Sequence, residues 1–120
     1  MEHDRGPLLH WQFSQYPAAH RDRGNLLLHV LTVPVFMAGT VSVALAWMNP
    51  WLLSGLVGIV AAAALQGRGH AREANPPAPF RGPLDVVARL FAEQWITFPR
   101  FVLSGGFARA WSEARRLVGG

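Results

Sequence analysis

The sequence predicts an all-α fold, a small integral membrane protein in which amphipathic interfacial helices surround a transmembrane helical hairpin. Residues 25–67 contain no Asp, Glu, Lys or Arg, although charged residues make up 15% of the chain. Two predicted helices, 26–48 and 51–70, cover this segment, with Asn49 and Pro50 between them; the second continues past it to His70. A helix needs about 20 mostly apolar residues to cross a bilayer, so each stretch is a candidate span.

The length of the chain limits the alternatives to this hairpin. At 120 residues the sequence allows one domain, 1–120. A hairpin buried inside a soluble helical bundle is the alternative, but so short a chain can hardly surround two such helices. A secretory signal peptide is not indicated, because the first apolar run begins only at Leu26 and a second follows it. We therefore predict that both helices cross a membrane.

The distribution of charge predicts how the hairpin is oriented. The net charge is +4, and all 11 basic residues are arginines on the two flanks of the apolar segment. Because these arginines are scattered, nucleic-acid binding is not favoured, and the positive-inside rule explains them better. The turn carries no charge and is flanked by Trp47 and Trp51, as is typical of an interfacial aromatic belt. We expect a bacterial inner-membrane protein with both termini cytoplasmic.

The remaining segments are amphipathic or rich in proline. Residues 8–20 predict a short interfacial helix, and Asn25 is a suitable N-cap for the first span. The proline-rich segment 75–79 predicts a non-helical connector. Apolar residues recur at helical spacing in 84–98 and 107–118, which predicts two amphipathic helices on the cytoplasmic side.

Histidines occur at matching positions on the two predicted spans. His29 and His70 each lie about twenty residues, or about 30 Å of helix, from the Asn49-Pro50 turn. In an antiparallel hairpin they reach the same membrane face. His20 precedes the first span, and Glu73 follows His70 by one helical turn.

These side chains are suitable metal ligands. The chain has no cysteine, so a metal would need histidine and carboxylate ligands. Two histidines and one carboxylate are typical of Fe(II) oxygenases. We predict that His20, His29, His70 and Glu73 form a metal-binding catalytic site. Gln66, four residues before His70, could orient its ring as an outer-shell group. The alternative is that the histidines are solvated at the interface and Glu73 forms surface ion pairs.

Two motifs carry a resemblance to a known family. They read Tyr16-x-x-x-His20-x-x-x-x-Asn25-x-x-x-His29-x-x-x-x-Pro34 and Gln66-x-x-Gly69-His70-x-x-Glu73-x-x-x-Pro77-Ala78. Over residues 13–105 the chain resembles the small membrane-protein family typified by the 2-hydroxy fatty acid dioxygenase of fungal α-oxidation. The resemblance implies an enzyme with an Fe2+ cofactor that converts a long-chain 2-hydroxy fatty acid and O2 into CO2 and a fatty acid one carbon shorter. The family's metal residues match His20, His29, His70 and Glu73.

This chemistry would place a substrate carboxylate at the membrane interface. Arg72 or Arg68 could pair with the carboxylate, Arg72 being favoured because it lies within the His-x-x-Glu turn, and Asn25 is a further substrate-binding candidate. Membrane lipid is an expected partner and a homo-oligomer is possible; nucleic acid is not expected. Two other functions stay open: a non-enzymatic membrane scaffold with a structural histidine cluster, and a metal-binding or transport subunit.

Overall fold

The fold is all-α, which confirms the predicted fold class. A computed structural model describes residues 5–119, with side chains as far as residue 114, and this part of the chain contains no β-strand. The helices are α1 (Leu8–Gln15), α2 (Arg23–Ala44), α3 (Gly55–His70), α4 (Pro83–Ala92), α5 (Phe98–Leu103) and α6 (Gly106–Gly119). Short 3-10 turns occupy Tyr16–Ala19 and Pro50–Ser54, and a π-helical turn occupies Glu93–Thr97.

Helices α2 and α3 form the predicted antiparallel hairpin. The segments Arg23–Ala44 and Pro50–His70 are both long and apolar enough to cross a membrane, judged by length and composition. The N-cap of α2 is Asp22 and not Asn25, because its carboxylate accepts a hydrogen bond of 2.9 Å from the Asn25 backbone N–H. The helix therefore begins earlier than predicted and includes Asn25 in its first turn.

The two hairpin helices are in close backbone contact near the turn. A Cβ atom on Gly39 would lie 2.6 Å from the Gly55 carbonyl oxygen, and a Cβ on Gly55 would lie 2.6 Å from the Gly39 carbonyl oxygen. The Ser42 hydroxyl donates a hydrogen bond of 2.6 Å to the Leu52 carbonyl. Small residues thus let the two backbones touch, as is common where helices pack in membranes.

The outer faces of the hairpin are apolar and uncovered. Trp51 is 84% exposed, Val57 is 72% exposed and Leu31 is 67% exposed. Only Ala62, Gln66 and Gly69 of α3 are buried. The helices of a soluble bundle would bury such faces, so the alternative of a hairpin enclosed in its own bundle does not describe this chain.

The other helices gather at the open end of the hairpin, away from its turn. Their core consists of buried apolar side chains from α2, α5, α6 and the first 3-10 turn: Tyr16, Leu26, Val33, Phe98, Phe101 and Ala110. The predicted helix 84–98 is part of a longer helical segment, because α4 continues through the π turn directly into α5. This segment packs polar side chains inward, against the ends of α2 and α3.

Candidate metal centre

The structure brings together the histidines that the sequence singled out. His20 follows the first 3-10 turn, His29 lies on α2 and His70 is the last residue of α3. Their rings are 4.7 to 5.1 Å apart between centroids. Together with Glu93, at the start of the π turn, they offer one ligand atom each within 4.8 Å of one another. Four separate elements of the fold therefore converge on one point.

Backbone carbonyls orient two of the imidazole rings. The Nδ1 atom of His20 lies 2.8 Å from the Tyr16 carbonyl oxygen, and Nδ1 of His29 lies 3.0 Å from the Asn25 carbonyl oxygen. Because a carbonyl can only accept, each Nδ1 carries the proton and each Nε2 keeps its lone pair for a metal. This is the usual second contact of a metal-binding histidine.

The ring nitrogens at the centre have no hydrogen-bond partner in the protein. Nε2 of His20, Nε2 of His29 and Nδ1 of His70 are all buried without one. An unsatisfied buried polar atom is costly, and three at one point need a common explanation. A cation bound between these nitrogens and a carboxylate satisfies all of them, so the donor set fits a metal ion.

The carboxylate at this centre is Glu93, where the sequence predicted Glu73. Glu93 Oε2 lies 3.2 Å from His29 Nε2 and 3.6 Å from His20 Nε2. The Tyr16 hydroxyl donates a hydrogen bond of 2.7 Å to the same oxygen. Glu73 is absent from the group of convergent ligand atoms among the described residues.

Glu73 instead fixes the loop that carries His20. Its carboxylate accepts hydrogen bonds from the backbone N–H groups of Arg21 and Asp22, at 2.9 and 3.0 Å, and from the Asn25 side-chain amide at 2.7 Å. The prediction placed Glu73 one turn further along the helix from His70. Helix α3 ends at His70, however, and the following turn directs Glu73 towards the start of α2.

Burial and neighbouring charge set the protonation of Glu93 and Tyr16. Burial alone would raise the pKa of Glu93, but the adjacent His20 and His29 imidazoles, when protonated, outweigh burial and hold that pKa well below its ordinary value. For Tyr16, burial first and the adjacent Glu93 charge second raise the pKa well above its ordinary value. The Glu93 carboxylate is therefore ionised, and Tyr16 stays a hydrogen-bond donor to it.

Sequence reasoning missed Glu93, although a signal for it was present. Glu93 is three residues after Leu90 and seven after Val86, so it belongs to the same face of the helix as two apolar residues. An acidic residue on an apolar face is a candidate for a buried site. The π turn that begins at Glu93 has no such signal, although turns of this kind are frequent at functional sites.

Gln66 makes its side-chain hydrogen bonds to residues other than His70, whose ring it was predicted to orient. Its amide donates hydrogen bonds of 2.9 Å to the Thr32 hydroxyl and 2.9 Å to Gln94 Oε1, and it accepts one of 2.7 Å from Gln94 Nε2. This buried reciprocal amide pair ties α3 to the π turn. Gln66 therefore helps to position Glu93, and none of its hydrogen bonds goes to the His70 ring.

The arginines predicted to bind substrate lie away from the centre. Arg72 donates a hydrogen bond of 2.7 Å to Asp22 at the surface, and Arg68 is exposed on α3. Asn25 is buried between Glu73 and His29. None of these three residues lines the cavities beside the metal centre. Their predicted role in substrate binding is not supported by these positions, and Asn25 is better described as a positioning residue.

Two cavities open beside the centre and share His70, Glu93 and Arg89 in their walls. The first, of about 270 Å³, lies between α1 and the proline-rich segment. The second, of about 540 Å³, lies between α3 and α4. Pro76 and Pro77 border both. A small molecule in either cavity would reach the candidate metal centre.

Arg89 is the arginine at these cavities. It donates hydrogen bonds of 3.0 and 2.9 Å to the carbonyls of Pro79 and Ala78, and its guanidinium lies 4.2 Å from the centre of the Phe80 ring. Burial is the main influence that lowers the pKa of Arg89 from its ordinary value. Arg89 thus fastens the proline-rich segment over the cavities while placing a positive charge beside them.

Asp85 supports this arrangement, and its removal should make the protein less stable in a pH-dependent way. The Arg81 backbone N–H, 2.9 Å away, holds the pKa of Asp85 below its ordinary value, with partial burial opposing it and Arg5 and Arg89 assisting. A carboxylate with a lowered pKa stabilises the fold above its unfolded pKa of about 3.9, and this contribution is lost as pH falls through the folded-state pKa. We expect Asp85→Ala to lower Tm by a few degrees at neutral pH and by progressively less in acid, in thermal unfolding of the detergent-solubilised protein. A difference that grows in acid would contradict this.

The fold and the centre define a class: a small all-α protein whose apolar hairpin carries a three-histidine, one-carboxylate cluster of metal-binding type at one end. The chain belongs to the family described as 2-hydroxy-palmitic acid dioxygenase Mpo1-like, whose family model matches residues 9–102. This confirms the resemblance carried by the two histidine motifs. No curated protein and no solved structure gives a significant match.

Proposed function

We propose that the protein is an Fe(II)-dependent dioxygenase that converts long-chain 2-hydroxy fatty acids into fatty acids one carbon shorter. The observation that carries the proposal is the convergence of three unpartnered imidazole nitrogens with the Glu93 carboxylate. The family description, 2-hydroxy-palmitic acid dioxygenase, supports the reaction and the substrate class.

The reaction balances without an external reductant. The 2-hydroxy acid and one O2 give a carboxylic acid, CO2 and water; the C1–C2 bond breaks, and O2 accepts the four electrons. Bound Fe(II) would supply the redox chemistry that lets O2 react with the substrate. His20, His29, His70 and Glu93 would hold the iron, and the cavities beside His70 and Glu93 would admit the 2-hydroxy acid.

Tyr16 has a defined supporting part in this proposal. Its hydroxyl donates to Glu93 Oε2, and its ring stacks on His20 with the centroids 3.7 Å apart. Both contacts act on residues that would bind iron. Tyr16 therefore restrains the direction of the Glu93 carboxylate and the plane of the His20 ring, as outer-shell groups do at metal sites.

The proposal places the enzyme in a membrane, with the hairpin inserted and the metal centre at one surface. The exposed apolar faces of α2 and α3 support insertion, because water would make such surfaces unfavourable. The uncharged turn with its two exposed tryptophans supports a turn that lies in the opposite interface. By the positive-inside rule, the metal centre and both termini would lie on the cytoplasmic side of a bacterial inner membrane. Membrane lipid is then a partner of the protein. A homo-oligomer stays a prediction.

The first experiment measures iron and turnover together. The protein is purified anaerobically in detergent without a histidine tag, reconstituted with Fe(II), and compared with His70→Ala. We expect near-stoichiometric iron in the unmodified protein and at least about tenfold weaker binding in the variant, because loss of a ligand should cost no less than loss of an outer-shell contact. O2 uptake and CO2 release should require both iron and a 2-hydroxy fatty acid, with equal molar amounts of the two gases.

The same measurement separates the alternatives. Failure to bind iron would overturn the dioxygenase proposal and leave the membrane scaffold as the better description. Iron binding without 2-hydroxy acid-dependent O2 uptake would favour a metal-binding or transport subunit. Arg68→Ala, on the exposed side of α3, is the matched control and should keep both iron and turnover.

A further inference from the structure

We propose that the cavity between α3 and α4 is the binding site for the substrate's alkyl chain and that Gly67 leaves the space through which that chain passes. The proposal rests on the proposed function and adds the path of the chain. The cavity begins at His70 and Glu93, beside the metal centre, and has a volume of about 540 Å³. That is within the range of small-molecule sites in proteins, roughly 300–1,000 Å³.

The walls of this cavity are regular helix faces. Helix α3 contributes Ala63, Gln66, Gly67 and His70, which recur at helical spacing, and α4 contributes Val86, Arg89 and Leu90 on one face. Phe80, Pro76 and Pro77 form a further wall of the cavity, on the side of the proline-rich segment. Apart from its polar end at the metal centre, the cavity presents mainly small or apolar side chains.

The direction of the cavity suits a chain with one polar end. From His70 to Ala63 the α3 wall is about 10 Å long at the rise of an α-helix. Beyond Ala63 the same helix exposes apolar side chains, with Val60 65% exposed and Val57 72% exposed. A long alkyl chain could therefore lie with its first carbons in the cavity and its remainder against these residues, in the surrounding lipid.

Charge at the polar end favours a carboxylate there. The guanidinium of Arg89 has five donors, of which two go to backbone carbonyls. Its acidic neighbour Asp85 is 3.6 Å away and also pairs with Arg5 at 2.9 Å, so one carboxylate is shared by two arginines. Arg89 and a bound divalent metal would together outweigh the nearby Asp85 and Glu93 carboxylates, and so would attract the acid group of the substrate to this end and leave the alkyl chain to the apolar end.

Gly67 is the position at which this path can be closed without disturbing the fold. A Cβ atom built on Gly67 meets no other atom within 4 Å, although the residue lines the cavity. It lies three residues before His70, about 4.5 Å along the helix. A larger side chain would project into the space of the alkyl chain, and replacing a glycine within a helix favours helix formation.

The test compares Gly67→Leu with Ala61→Leu, which adds an apolar side chain at an exposed position of α3 that lines neither cavity. Each iron-loaded variant is assayed with 2-hydroxyhexadecanoic and 2-hydroxybutanoic acid. We expect Gly67→Leu to lower kcat/KM for the long acid by about tenfold, equivalent to losing the burial of about two methylene groups, and to spare the short acid and the iron content. Ala61→Leu should leave both acids unaffected.

A second readout does not depend on turnover. Hexadecanoic acid carrying a photoreactive group in mid-chain is crosslinked to each variant, and the labelled peptides are mapped. Labelling at Ala63, Val86 or Leu90 that is lost in Gly67→Leu and kept in Ala61→Leu supports the alkyl path. This holds even if no 2-hydroxy acid is oxidised; in that case the proposed function would fail and the alkyl path would stand. Labelling that Gly67→Leu leaves unchanged, or an equal loss of activity with both acids, would overturn the path.

Discussion

Glu93→Gln is expected to reduce 2-hydroxy acid-dependent O2 uptake by more than about 100-fold, whereas Glu73→Gln should cost less than about tenfold. The two substitutions make the same chemical change, a carboxylate to an amide of equal size. At position 93 the change removes the carboxylate that lies 3.2 Å from His29 Nε2 and that would bind the iron in the proposed function. At position 73 it alters a carboxylate that holds backbone N–H groups, and the amide oxygen of glutamine can still accept one of those bonds.

The measurements are iron content after Fe(II) reconstitution and the initial rate of O2 uptake, made on both variants in parallel. Weaker iron binding should accompany the loss of activity in Glu93→Gln, because an ionised ligand contributes to metal affinity. Unchanged thermal unfolding of the metal-free variant would show that the fold survives. The opposite result, with Glu73→Gln inactive and Glu93→Gln active, would contradict Glu93 as the iron-binding carboxylate. It would favour Glu73, the residue that the sequence predicted.

The hairpin and its histidines could be predicted from the sequence, because the hairpin depends on local composition and the histidines are equally spaced from its turn. A long uncharged segment interrupted by Asn49-Pro50 is sufficient to predict two helices, and the fold class was right. His29 and His70 are equally far from the turn in sequence. Because both antiparallel helices rise by the same distance per residue, the two histidines must lie at the same end of the hairpin. His20 was included because the loop that carries it leads directly into α2 and must therefore lie at the same end of the hairpin.

The carboxylate and the arginine of the site could not be predicted in the same way. Glu93 reaches the histidines from a helix that is distant in sequence, and its placement depends on a π turn and on the buried Gln66–Gln94 amide pair. Glu73 was favoured because His-x-x-Glu is a local pattern, but that inference assumes that the helix continues past His70. Arg89 was overlooked because Arg72 is close to His70 in sequence, whereas contact with the cavities is decided by how α4 packs.

Gly39→Ala is expected to destabilise the hairpin by about 1–3 kcal/mol, the usual cost of overpacking. The added Cβ would lie 2.6 Å from the Gly55 carbonyl oxygen and 3.0 Å from Ile59 Cγ1, so α2 and α3 would have to move apart. Because a backbone carbonyl cannot move aside as a flexible side chain can, the strain falls on the helix pair itself. The measurement is thermal or denaturant unfolding in detergent, with and without Fe(II).

Gly58→Ala is the matched control for this substitution. Its Cβ would meet Val35 Cγ1 at 3.4 Å, an ordinary contact, and it gains the same helix propensity from the loss of a helical glycine. We expect Gly58→Ala to be neutral or slightly stabilising, so that the difference between the two variants isolates the backbone contact. Equal stability of the two would mean that the helices can separate at Gly39 without cost. Loss of stability in Gly39→Ala would also affect the metal centre. His29 and His70 lie on the same two helices, and the spacing of those helices sets the distance between the two imidazoles.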